Sequence, residues 1–115
     1  MTTLYGISNC DTVKKARTWL DKAGVLYRFH DFRVDGLEEP LARRWIETLG
    51  WQAVLNKRST TWRGLDDDVK IAMDEAIALR EILVAPTLIK RPVLEEKDSL
   101  FVGFDQQQYK NLFEA

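Results

Sequence analysis

The stretch Thr3-Leu4-Tyr5-Gly6-Ile7-Ser8-Asn9-Cys10-Asp11-Thr12-Val13-Lys14-Lys15-Ala16 decides the fold. Residues 3–7 alternate β-forming and small side chains and predict a short strand. Ser8-Asn9 is turn material. From Asp11 to Ala23 the period changes: Val13, Ala16, Leu20 and Ala23 recur at helical spacing and form one apolar stripe. Gly24 stands where a helix commonly terminates. Residues 25–32 alternate again and predict a second strand. Strand, helix and strand within about 30 residues make a βαβ unit, with a parallel pair and a right-handed crossover.

Outward from that unit, Leu37, Leu41, Trp45 and Leu49 recur every four residues, so a second helix is expected over 36–50. Residues 51–65 are mixed, with a polar loop at 56–61. Asp66 to Asp68 offer caps for a helix carrying Val69, Met73, Ala76, Ile77 and Arg80. A further short helix is expected to run to about Ala85, where Pro86 stops it. Val93-Leu94-Glu95 and Leu100-Phe101-Val102 read as hairpin arms joined by Glu96-Lys97-Asp98-Ser99. Asp105 can cap a last helix bearing Tyr109, Leu112 and Phe113. The expectation is a single α/β domain over 1–115, with a mixed four-stranded sheet and a helical insertion at about 37–86.

Bulk properties exclude several classes. Lys and Arg number 17 against 18 Asp and Glu, for a net charge of -1, which disfavours a nucleic-acid binder. The first residues lack the basic start and apolar run of a signal peptide, and no apolar stretch approaches the roughly 18 residues that span a bilayer. A cytoplasmic monomer without membrane attachment is expected. The chain has 1 Cys and 1 His, so an internal disulfide is impossible and a soft-metal site lacks ligands.

Cys10 is the principal candidate for chemistry. It lies between the first strand and the first helix, where unpaired N–H groups carry an effective positive charge that favours a thiolate. Lys14 and Lys15 add positive potential one turn on, and Asp11 subtracts some. The alternative is a buried cysteine serving as a small hydrophobe. Val13 stands where a second cysteine would complete Cys-x-x-Cys, so a mixed disulfide at Cys10 must be resolved by an external thiol such as glutathione or a partner protein. Arg58, in a polar loop, and Arg91, before Pro92, are candidate anion holders, because the guanidinium fork grips carboxylates and oxyanions. Both read as solvated surface residues unless the fold brings both loops beside Cys10. The tryptophans and His30 read as structural. Asp66 to Asp68 read as a helix cap rather than a metal site.

These residues resemble the ArsC/Spx group of thioredoxin-like proteins, in its single-cysteine YffB-like branch. The resemblance rests on Leu4-Tyr5-Gly6 leading to Asn9-Cys10-Asp11-Thr12, and on Asn56-Lys57-Arg58-Ser59 with Trp62-Arg63. It rests further on Pro86-Thr87-Leu88-Ile89-Lys90-Arg91-Pro92-Val93, followed by Val102-Gly103-Phe104. It implies a thioredoxin-like core with a cis-proline, Pro92, opposite the reactive cysteine. It implies Cys10 as nucleophile, with Asn9, Arg58, Arg91 and Pro92 around the bound substrate or glutathione. No tightly bound cofactor is implied; glutathione is the co-substrate, with glutaredoxin or an oxidised thiol as partner. Arsenate reductases of the group carry a further arginine where the last strand ends, and this chain has Val102-Gly103-Phe104 there. Asn56 falls where their loop arginine aligns. The branch therefore implies a glutathione-dependent thiol reductase. Arsenate reduction with glutathione and glutaredoxin is the first alternative. A non-catalytic Spx-like regulator that binds RNA polymerase is the second.

Overall fold

Thr2, Leu4, Tyr5 and Gly6 are buried in the first strand, β1 (Thr2–Gly6), because β1 lies inside a sheet rather than at its edge. The computed structural model describes residues 1–114. It contains two compact units, one formed by Met1–Asp35 with the segment from Arg91 onward, the other by Gly36–Lys90.

The first unit holds the sheet. After β1 come helix α1 (Asp11–Lys22), strand β2 (Tyr27–Asp31) and a single turn, α2 (Phe32–Asp35). The second strand is shorter than residues 25–32. Asp31 ends it: its Oδ1 accepts from the Arg33 amide at 2.8 Å, and its own amide donates to Asp35 Oδ2 at 3.1 Å. These side-chain bonds turn the backbone out of the ladder.

The second unit is helical: α3 (Glu39–Leu49), α4 (Trp51–Val54), α5 (Thr60–Arg63), α6 (Asp67–Ile71), α7 (Glu75–Val84) and a 3-10 turn (Pro86–Leu88). Trp45, Ile46, Val54, Ala78, Ile82 and Leu88 are buried in it, with α3 packed on α4 and α7. The helical spacing expected from Val69 to Arg80 is interrupted between α6 and α7. Asp74 accepts from the Ile77 amide at 2.8 Å and starts α7 afresh, so a local cap overrides the continuous apolar spacing. The mixed region 51–65 contains α4 and α5, the latter capped by Ser59 Oγ accepting from the Trp62 amide at 3.1 Å. A 3-10 turn also occupies residues 86–88, at the start of the stretch 87–104 that the sequence suggests as a hairpin, so strand pairing begins only at Val93.

The chain then returns to the first unit as β3 (Val93–Glu96), β4 (Ser99–Val102) and helix α8 (Gln106–Phe113), whose cap is Asp105. The strand order is β2-β1-β3-β4. β1 and β2 are parallel, and the other neighbours are antiparallel. One sheet face, through Leu4 and Leu94, packs on Ala16 and Leu20 of α1 and on Tyr109 of α8. On that side an added Cβ at Gly6 would stand 2.7 Å from a methyl carbon of Val13. Glycine here lets α1 approach the strand closely. Elsewhere in the sheet the rings of Tyr5, His30 and Phe32 pack together, Tyr5 stacked on Phe32 and His30 tilted or edge-on to both, and Tyr5 Oη donates to Glu95 at 2.9 Å. His30 is thus held within a ring cluster.

Candidate active site

The parallel pairing of β1 with β2 puts the C-terminal ends of both strands at one end of the sheet. Antiparallel β3 begins at that end, with Tyr5 opposite Val93, so continuing the register puts Pro92 level with Gly6 and Arg91 one residue beyond it. The β4 strand finishes there as well, and the Gly103 amide donates to the Pro92 carbonyl at 2.8 Å. Cys10 emerges at this end. Its amide bonds back to the Ile7 carbonyl at 3.3 Å, closing the turn that joins strand to helix.

Cys10 is the N-cap residue of α1, with extended backbone angles (φ -94, ψ 126). Its carbonyl accepts from the Lys14 amide at 2.9 Å, the first bond of the helix. The Cys10 side chain makes no capping hydrogen bond among the described residues, so the first-turn amides remain open to an anion or a thiolate. Cys10 is partly exposed rather than one of the buried core residues. The reading of Cys10 as a small buried hydrophobe therefore fails.

The Arg91–Pro92 peptide bond is cis. Pro92 is fully buried, while Arg91 is half-buried. The Arg91 Nη1 is buried and finds no hydrogen-bond partner among the described residues. A buried guanidinium N–H without an acceptor is costly. Arg58 belongs to the other unit. It is exposed on the loop between α4 and α5, where its amide donates to Asn56 Oδ1 at 3.0 Å. That loop is tied down by Lys57, whose ammonium lies 5.6 Å from the Trp51 ring centre and 5.5 Å from that of Trp62.

One residue of this end escaped the sequence reading. Arg33 Nη1 donates to Asn9 Oδ1 at 3.2 Å, so a guanidinium holds the side chain next to Cys10. The signal was available in principle. Parallel pairing of the two strands sends the residues just after both of them to the same end of the sheet. Among the described residues no cluster of His, Cys, Asp and Glu is suited to hold a metal ion. No helix among them is long and apolar enough to cross a membrane.

A mixed sheet of this order, with a lone cysteine at the start of its first helix and a cis-proline opening the third strand, defines a thioredoxin-like protein of single-cysteine type. Residues 5–112 match the ArsC family, and the chain belongs to it. An uncharacterised protein of Haemophilus influenzae is 44% identical over 113 residues, 98% of this chain and 99% of its own. A solved structure described as a YFFB protein superposes with a TM-score of 0.95 at 47% identity, covering 98% of this chain and 99% of that one. An arsenate reductase (ArsC) related protein from Brucella melitensis gives 0.79 at 44% identity, covering 99% and 95%. A global transcriptional regulator Spx from Streptococcus mutans is 26% identical over 117 residues, 96% of this chain and 81% of its own.

Proposed function

We propose that this protein is a glutathione-dependent thiol–disulfide oxidoreductase of the cytoplasm that works through Cys10 alone. The supporting observation is a partly exposed thiol at an uncapped helix start, at the same sheet end as the orphaned guanidinium nitrogen of Arg91. On a substrate sulfur carrying glutathione, the Cys10 thiolate attacks the glutathionyl sulfur. The substrate S–S bond breaks as the new Sγ–S bond forms, and the substrate sulfur leaves as a thiolate that takes a proton. A second glutathione, as thiolate, attacks the sulfur of the bound glutathione. Oxidised glutathione departs and the Cys10 thiolate is restored. Net, one glutathione is consumed and two electrons pass to the substrate. Arg91 grips a glutathione carboxylate beside Pro92. Arg33 holds Asn9 in place, and Arg58 is the further guanidinium that the family resemblance assigns to the substrate.

Arsenate is the poorer fit. The β4 strand ends in Val102-Gly103-Phe104, with no arginine to share a multiply charged oxyanion. The deciding experiment is mass spectrometry after incubation with oxidised glutathione. One glutathionyl group on Cys10, removed by reduced glutathione, is the expected result. An unmodified Cys10 under conditions that modify a cysteine-containing control peptide overturns the proposal.

A further inference from the structure

Cys10, Lys14, Thr18 and Lys22 follow at four-residue spacing, so Lys14, Thr18 and Lys22 form a stripe on α1 that leads away from the thiol. This stripe is one wall of an open groove of about 490 Å³. Trp19 and Phe104 supply its apolar surface, and both rings are braced edge-on by Tyr109, at 5.7 and 4.8 Å between centres. Lys14, Lys15 and Lys22 all line the groove, and among the described residues no carboxylate does. The Asp105 carboxylate, next to Phe104 in the chain, is engaged by the Gln108 amide at 3.0 Å. None of the three lysines forms an ion pair among the described residues.

Unpaired like charges along an apolar groove call for an occupant with the opposite sign and some apolar surface. Lys14 and Lys22 are eight positions apart, about 12 Å along the helix. An extended polypeptide covers that length in about four residues and sends alternate side chains to the same side. Nucleic acid is a worse match, because three cations on a chain of net charge -1 release few counterions. A membrane surface is worse again, since the site is concave and has fewer lysines than a polybasic lipid-binding cluster.

We propose that this groove docks an acidic, extended segment of the protein substrate whose oxidised sulfur is presented to Cys10. The choice of occupant rests on the oxidoreductase reading; the binding itself does not require it. Docking beside the thiol turns encounter with an acidic protein into a local event and selects such substrates over small disulfides.

The test uses a fluorescein-labelled, cysteine-free peptide of alternating glutamate and leucine, and its glutamine counterpart, titrated by fluorescence anisotropy. The glutamate peptide is expected to bind more tightly, and to weaken with added salt. Lys22 is exposed and three turns from Cys10, so Lys22→Gln should fold normally and weaken binding about threefold, and Lys22→Glu about tenfold. Equal affinity for the two peptides overturns the proposal. So does indifference to Lys22→Glu, or tighter binding of oligothymidylate or phosphatidylserine vesicles. Because these peptides have no sulfur, failure here leaves glutathione capture by Cys10 standing. Conversely, an inert Cys10 leaves the docking result standing.

Discussion

Replacing Gly6 by alanine should destabilise the protein through a single contact. The new Cβ would stand 2.7 Å from Val13 Cγ2 and 3.4 Å from Cγ1. Val13 is fully buried in the first turn of α1, three residues after Cys10, so it has little room to retreat. Overpacking of this kind costs about 2 kcal/mol. Alanine recovers roughly 0.5 kcal/mol through the lower entropy of its unfolded chain. The net expectation is a loss of about 1.5 kcal/mol. Val13→Ala alone removes two buried methyl groups and should cost about 2 kcal/mol. In the double variant the clashing methyl is gone, and the remaining Val13 Cβ position lies 3.6 Å away, an ordinary contact. The double variant should therefore lose only about 1.5 kcal/mol, against about 3.5 if the two effects were independent. Urea unfolding followed by tryptophan fluorescence measures all four proteins. For a chain of 115 residues each kcal/mol also shifts the melting temperature by about 4 °C. Additivity within about 0.5 kcal/mol would refute the claim that helix–strand approach dictates this glycine.

Three further outcomes are expected. Tyr109 is fully buried and its hydroxyl has no hydrogen-bond partner among the described residues, so Tyr109→Phe should stabilise the protein by about 1 kcal/mol in thermal or urea unfolding. Burial also pushes the Tyr109 phenol above its ordinary value of about 10. The unfolded chain releases this proton first. The protein's stability is therefore insensitive to this group below pH 10 and declines by about 1.4 kcal/mol per unit above it, a slope that Tyr109→Phe should remove. Arg91→Met deletes the orphaned buried nitrogen, so stability should hold or rise slightly, while glutathione adduct formation at Cys10, timed by mass spectrometry, slows about tenfold. Asp74→Ala removes the cap of α7 and should cost about 1 kcal/mol, read as a fall of about 4 °C in the calorimetric midpoint.

Local patterns made much of the first unit legible. The period switch between residues 7 and 11 marks where β1 ends and α1 begins. The hairpin arms fall within β3 and β4, and Asp105 caps α8 as its residue type suggests. The helical stretch was harder. Apolar spacing runs smoothly across residues 69–80, and only the Asp74 cap shows that the helix restarts. Arg91 was legible as a residue and the cis bond before Pro92 as an expectation, but not the burial of its Nη1. The Arg33 bond to Asn9 depends on two strands separated by a helix, which composition and spacing do not register.

The sequence by itself determined that there is one thiol, that it precedes a helix, and that no second cysteine can resolve it, since these depend on identity and near-neighbour periodicity. Only the tertiary structure decided that Cys10 stays partly open, that Arg33 reaches Asn9, that Arg91 keeps an unanswered donor, and that three lysines edge an aromatic groove. The physical reason is range. Helix and turn preferences are settled within a few residues, whereas burial and hydrogen-bond partnership depend on atoms that chain folding brings together from distant positions.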